Sequence, residues 1–255
     1  MTALSASPFQ STEFTPSGFG VTVPGPEVDE PIDAEDVERL LNNGKPSLRL
    51  PEPLEKAFIT DEGPQRLRTM LISGVLVAFM FNWLLVSDWL LVPDQFDLAL
   101  RLRLFLFTPG ILVGVFLLTR LASAAMREWL LIFPATVACA MNAWLCMSST
   151  DPMAGPYLSS LATIAMFSNS VVRMRFAPAA VLDAIIIALF VGAAINMPAN
   201  LAPILIPAGL LLVCTIVFTL YGCYCQERDD RLNWLLHLRE RLLLKNLEDA
   251  NQELH

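Results

Sequence analysis

The 255 residues are 55% hydrophobic and 16% charged, with a mean hydropathy of +0.53, which excludes an ordinary soluble domain and indicates an integral membrane protein. The net charge of −8 belongs to the start of the chain: residues 1–65 hold 12 acids and 4 bases, and the other 13 acids and 13 bases cancel. The acidity therefore says nothing about what the apolar part binds, and no nucleic-acid partner is expected.

The first 20 residues have neither a basic n-region nor an apolar core, so no cleavable signal peptide is expected and the first apolar segment must direct insertion. Residues 1–31, rich in Ser, Thr, Pro, Gly and acids, read as a disordered acidic tail. Residues 32–65 should hold two short pre-membrane helices. The first starts at Asp33 as N-cap, with Asp36 three residues on, and stops before Gly44. The second runs from Glu52 to about Thr60 with Pro53 in its first turn, after which Pro64 opens the helix that enters the membrane.

Six apolar segments follow, at 69–87, 104–120, 129–147, 157–172, 178–197 and 203–224. Most approach the roughly 20 residues that cross a bilayer, and the fourth is short. Compact connections make them antiparallel neighbours, so residues 66–225 are expected to form one six-helix transmembrane bundle in an all-α fold. Basic residues set the orientation: Arg66 and Arg68, Arg120 and Arg127, Arg173 and Arg175, then Arg228 and Arg231 fall at alternate connections, which puts both termini in the cytoplasm. Arg101 and Arg103 break the pattern at the outer start of the second span, where Asp88, Asp94 and Asp97 could neutralise them.

Several chemistries lack their parts. The only histidines are His237 and His255 and the only lysines Lys45, Lys56 and Lys245, all outside the spans. Haem held by histidine pairs, a retinal Schiff base, His-Glu metal hydrolysis and a Ser/His/Asp triad are thereby excluded. No catalytic residue, metal site or cofactor is expected. Within the spans, Asn82, Asn142 and Asn169 either bridge helices or meet a ligand. Asp183 is the only acid well inside a span, which makes it a functional candidate, and the competing role is an ion pair with Arg175 or Arg173. The outer loop from Ser87 to Arg103, with Asp88, Arg101, Arg103 and Trp89, is either a sensing surface or a solvated connector. Cys139, Cys146, Cys214, Cys223 and Cys225 lie within or at the ends of apolar segments, against a disulfide framework and conventional zinc spacing. With no internal repeat and few intramembrane charges, a transporter ranks behind a sensor.

Residues 226–255 continue the sixth span without Pro or Gly, roughly 45 Å of helix at 1.5 Å per residue. Glu227 sits four before Arg231 in a charged collar. Beyond it Leu236, Leu243 and Ala250 recur at seven, and Leu247 and Leu254 supply the alternate seam of a coiled-coil homodimer. Asn233 and Glu240 interrupt this register, and a second frame through Leu235 and Leu242 competes with it.

The run ERDDRLNWLLHLRERLLLKNLEDANQELH at 227–255 resembles the signalling helix that joins a membrane sensor to a GGDEF domain in bacterial diguanylate cyclases. LPEPLEKAF at 50–58, DEGPQRLR at 61–68 and VSDWLLVPDQF at 86–96 resemble the multi-spanning MASE-type sensor regions of such proteins. The resemblance implies a bacterial inner-membrane sensory module with an unknown small ligand, dimerising through its last helix and regulating a C-terminal output domain. Similar helices precede histidine kinase and class III adenylate cyclase domains, and a standalone membrane scaffold is the alternative from another class. A GGDEF domain would begin close after Leu254, and its signature and metal-binding acids are not in this sequence. The chain is therefore expected to be an excised or naturally truncated sensor that makes no cyclic dinucleotide itself.

Overall fold

The computed structural model describes residues 34–42, 48–121 and 123–253, so the acidic tail, the Asp33 cap, Gly44 and Leu254 lie outside the described residues. All elements of the described residues are helical, with no strand among them. In chain order they are α1 (Ala34–Asn42), α2 (Glu52–Trp83), α3 (Leu85–Leu91), α4 (Phe96–Arg101), α5 (Thr108–Arg120), α6 (Ala124–Leu130), α7 (Ile132–Ser148), α8 (Ala154–Tyr157), α9 (Ser160–Ser170), α10 (Phe176–Asn196) and α11 (Ala202–Glu253). In a bilayer every backbone polar group needs an internal partner, and helices supply one within each segment.

Five helical stretches among the described residues are long and apolar enough to cross a membrane: Glu52–Leu91, Pro93–Arg120, Ala124–Ser148, Phe176–Asn196 and Ala202–Glu253. The expected fourth span differs. It begins with the single turn α8, passes through tight i→i+3 bonds such as Ser159 N–H to the Pro156 carbonyl, and ends in the 11-residue α9. Pro156 has no N–H and Gly155 and Ser159 are poor helix formers, which tightens this start into a 3₁₀-like turn.

The expected second pre-membrane helix and the membrane-entering helix expected to open at Pro64 are one element, α2. Pro64 lies inside α2 and forfeits one ladder bond without ending it. Packing on both sides explains this: Leu54, Ala57 and Phe58 are buried before it, and Met70 and Ser73 after it. Between α4 and α5, Leu102–Phe107 form a wide π turn in which the Thr108 N–H reaches back to the Arg103 carbonyl. The Thr108 hydroxyl donates to the same carbonyl at 2.8 Å. Such widened turns re-aim side chains, and this one turns Arg103 inward.

The main core is built chiefly from α7, α9, α10 and α11, where Cys139, Leu145, Leu161, Ala165, Leu182 and Ile186 are fully buried. The outer faces are apolar instead: Phe105, Ile195 and Phe218 are each at least 75% exposed. A contiguous apolar exterior of this kind fits hydrocarbon surroundings rather than water. A second, separate cluster lies outside the bundle, where Val37 of α1 and Leu50, Leu54, Ala57 and Phe58 pack on Trp234 and Leu235 of α11.

Gly74 sets how closely α2 approaches α5, because a Cβ there would lie 2.6 Å from a Val115 methyl. Gly74→Ala should destabilise the bundle by about 1–3 kcal/mol through overpacking, read as a lower unfolding temperature in detergent. Gly114→Ala, where a Cβ meets nothing, is the matched control and should leave stability equal or higher by up to about 1 kcal/mol through helix propensity.

Candidate functional site

The buried polar groups collect at the two ends of the bundle and at one point between them. At the end distant from α1 lies a cluster around Arg103, which is completely buried although arginine rarely is. Its guanidinium makes a two-pronged ion pair with Asp88 of α3, Nε to Oδ2 at 2.6 Å and Nη2 to Oδ1 at 2.8 Å. Nη1 donates to the Phe81 carbonyl at 2.7 Å, and the Phe81 ring covers the guanidinium at 4.1 Å. Nη2 also reaches the Tyr157 hydroxyl at 3.0 Å and Asn142 Oδ1 at 3.3 Å, while the Tyr157 hydroxyl donates to Asp88. Asn142 continues the network by donating to the Ser160 hydroxyl at 3.1 Å. Six elements, α2, α3, the 102–107 turn, α7, α8 and α9, are thus joined by one charge-balanced knot, and no polar atom of Arg103 is left over.

Between the ends, Asp183 of α10 accepts from Asn169 Nδ2 of α9 at 2.9 Å, and Asn169 also donates to the Thr219 hydroxyl of α11 at 3.0 Å. Both are nearly fully buried, and the Oδ1 atoms of Asp183 and Asn169 have no hydrogen-bond partner among the described residues. The expected ion pair of Asp183 with Arg175 or Arg173 is not formed. Arg175 turns to Glu128 at 3.4 Å instead, because α6 brings that carboxylate to the interface and Asp183 sits deeper. Asn82 bridges α2 to α5 by donating to the Thr108 hydroxyl at 2.9 Å. All three asparagines therefore join helices. Arg101 is exposed and takes no part in the Arg103 knot, so only two of the three charged loop candidates, Asp88 and Arg103, come together.

The end beside α1 carries most of the other charge. Glu128, buried on α6, receives Arg66 Nε at 2.8 Å, and Arg66 Nη2 also holds the Arg173 carbonyl at 2.6 Å. Arg173 has φ 55, a left-handed conformation costly for a residue with a Cβ. Further along α11, Arg231 is buried between Glu227 (2.9 Å) and Glu55 of α2 (2.9 Å), and its guanidinium lies 5.2 Å from the Phe58 ring centroid. Phe58 meets Trp234 edge to face at 5.6 Å, and Trp234 Nε1 donates to Asp61 at 3.0 Å. With the packing of Val37 on Trp234 and Leu235, these contacts clamp the root of the terminal helix onto α1 and the first turns of α2.

Burial alone would raise the Glu55 carboxyl, but hydrogen bonds from Arg231 and the Leu50 N–H, with the arginine charges, hold it below the usual carboxylate value. Glu62 is shifted the other way, by burial first and then by Asp230 and Asp61. The Glu55 contribution is complete above its ordinary value near 4.5 and is lost as pH falls through the depressed folded value. Acidification should therefore loosen the clamp before the bundle opens. Hydrogen exchange at Phe58 and Trp234 should rise at low pH, and Glu55→Gln should show that loosened state at neutral pH.

The seam candidates occupy a different face. Leu236, Leu243 and Leu247 are 44%, 48% and 67% exposed, and Ala250 is exposed as well. Leu235 is buried and Leu238 and Leu242 pack against the clamp cluster. The competing Leu235/Leu242 frame is thus occupied within the chain. Sequence reasoning found Arg103, Asp88 and the Glu227–Arg231 pair but missed Tyr157, Glu128, Glu55 and Trp234. Tyr157 carries no charge and opens a short apolar segment, so only the fold reveals it beside an ion pair.

No protein-family model, curated protein or solved structure matches the chain.

Proposed function

We propose that this chain is a six-span sensory module of the bacterial inner membrane, both termini cytoplasmic, that pairs with a second copy through α11 and controls an attached output domain of the diguanylate cyclase type. One observation carries the reading: α11 is a single 52-residue helix with two distinct apolar faces beyond the bundle. One face, Trp234, Leu235, Leu238 and Leu242, is taken up by the clamp, and the other, Leu236, Leu243, Leu247 and Ala250, is solvent-exposed. At about 100° per residue these faces point well apart, so the helix can be held by its own chain and by a partner at once.

Six crossings are supported by the path of α9. Tyr157, before it, belongs to the Arg103 knot, and Arg173, after it, lies against Arg66 at the opposite end. A short segment joining both polar ends crosses the bundle even though α9 itself is only 11 residues. The cytoplasmic placement of the α1 end is supported by its arginines, Arg66, Arg127, Arg173, Arg175, Arg228 and Arg231. The Arg103 positive charge at the other end is cancelled inside the fold by Asp88.

In this mechanism the clamp and the pairing seam share one rigid rod. A stimulus that shifts the spans biases the docking of Arg231 and Trp234, and so the rotation of the paired helices, a two-state element. Replacing Leu243 and Leu247 with Glu should leave a folded monomer in chemical cross-linking of membranes. An unchanged dimer contradicts the seam. A separate protein docking on the same stripe predicts instead that the chain never cross-links to itself.

A further inference from the structure

Two cavities share a wall in the bundle, and we propose that together they bind a single-chain anionic amphiphile, the head-proximal part of its acyl tail in one and its compact anionic head on the arginines of the other. This names the ligand class for the sensory module above. Its test reads binding directly, so it can fail or hold independently of helix pairing.

The first cavity, about 180 Å³, lies between α2, α5, α7 and α9 and is walled by Gly74, Val77, Phe107, Ala135, Ile164 and Phe167 among other apolar groups. No charged side chain lines it, and Ser168 and Thr163 contribute its only polar side chains. Such walls reject a polar ligand and accept hydrocarbon, and since a cavity of roughly 150 Å³ holds a benzene ring, this one takes only about six to eight carbons of a chain, the rest continuing out through its lateral opening. It reaches the exposed Trp83 and Thr163, which gives a chain from the bilayer a lateral way in.

The second cavity, about 60 Å³, sits at the α1 end, with Arg66, Arg127, Arg173 and Arg175 among its lining. Glu62, Glu128, Glu227 and Asp230 also line it, which limits the head to a small group of low charge. Met70 and Met174 line both cavities and are each only 2% exposed, so two flexible thioether side chains form the partition. Arg66 and Arg175 are shared by Glu128, and Arg231 is held by Glu55 and Glu227. Arg173 has no acid partner among the described residues, and its left-handed backbone sits next to Met174 at the junction of the cavities. Strained residues of this sort gather at ligand clamps. A carboxylate or phosphate monoester here would meet Arg173 first and lie beside Glu227 and Arg231, the root of the terminal helix.

The experiment is photolabelling of the full chain in phosphatidylcholine nanodiscs with diazirine-bearing palmitate, mapped by mass spectrometry. Label should concentrate on cavity residues such as Gly74 and Ile164 over the bilayer-facing Phe218. Ala135→Leu should weaken that labelling and Ala135→Trp remove it. Arg173→Gln should lower palmitate labelling about tenfold, the loss of one charge-assisted contact, and Arg173→Lys should restore most of it. Labelling by the matching diazirine hexadecanol should be weak and indifferent to Arg173. Competition by oleate alone identifies a carboxylate head, and stronger competition by lysophosphatidate a phosphate. Label spread evenly over bilayer-facing residues, Arg173→Gln without effect, or no competition by either lipid overturns the proposal.

Discussion

Arg103→Ala should be the most damaging single substitution in the bundle, with an expected loss of about 3–5 kcal/mol. Two terms act together. The substitution leaves the Asp88 carboxylate, fully buried, with only the Tyr157 hydroxyl as donor, and it empties the space under the Phe81 ring. Breaking one partner of a buried ion pair is costly because the other charge stays desolvated, whereas removing both can be nearly neutral. Asp88→Leu combined with Arg103→Met should therefore recover most of the loss. Recovery should remain incomplete, because Asn142 and Tyr157 then lose their bonds to the ion pair and keep only each other and, for Asn142, the Ser160 hydroxyl. Thermal unfolding in detergent of the wild type, Arg103→Ala, Asp88→Leu, Arg103→Met and the double variant measures the coupling directly. A double variant worse than Arg103→Ala contradicts the assignment of Arg103 and Asp88 as one unit.

Trp234→Ala should produce the second large effect, confined to the clamp. Trp234 is 4% exposed, packs edge to face on Phe58 and donates to Asp61, so truncation removes area, an aromatic contact and a hydrogen bond together. Large aromatic truncations in cores cost about 3–5 kcal/mol, which equals about two to nearly four orders of magnitude in local opening. Hydrogen exchange in α1 and around Leu54–Phe58 should accelerate on that scale. The bundle core around Leu161 and Leu182 should keep its protection, because no residue of the clamp cluster belongs to it. Arg231→Ala should act in the same place by leaving Glu55 and Glu227 without their shared cation.

The sequence carried the all-α class and five of the long apolar helices because hydrophobic length and composition are one-dimensional signals. The continuity of α11 was equally legible, since nothing between Tyr224 and Glu253 breaks a helix. Pro64 misled, because its local rule was outweighed by burial on both sides of it in α2. The fourth span was visible as short, but not that Pro156 and Ser159 would tighten its start into i→i+3 bonds. The Arg103–Asp88 pair was legible as charge balance in one loop. Its burial was not, because burial depends on a π turn at 102–107 that nothing in the local composition announces. The two frames of α11 looked like rivals in sequence. They are two faces of one helix, one packed on the chain's own α1 and α2 and the other exposed.

The central claim is that the Leu236–Leu243–Leu247 face meets a second copy while the Leu235–Leu242 face is held by the chain itself. Single cysteines at neighbouring positions test it most directly, in native membranes and in a background where Cys214 and Cys225 are serine. Leu243→Cys should form an intermolecular disulfide rapidly on mild oxidation, and Leu242→Cys, one residue away but turned toward the clamp, should not. Equal cross-linking at both positions, or none at Leu243, would contradict the account.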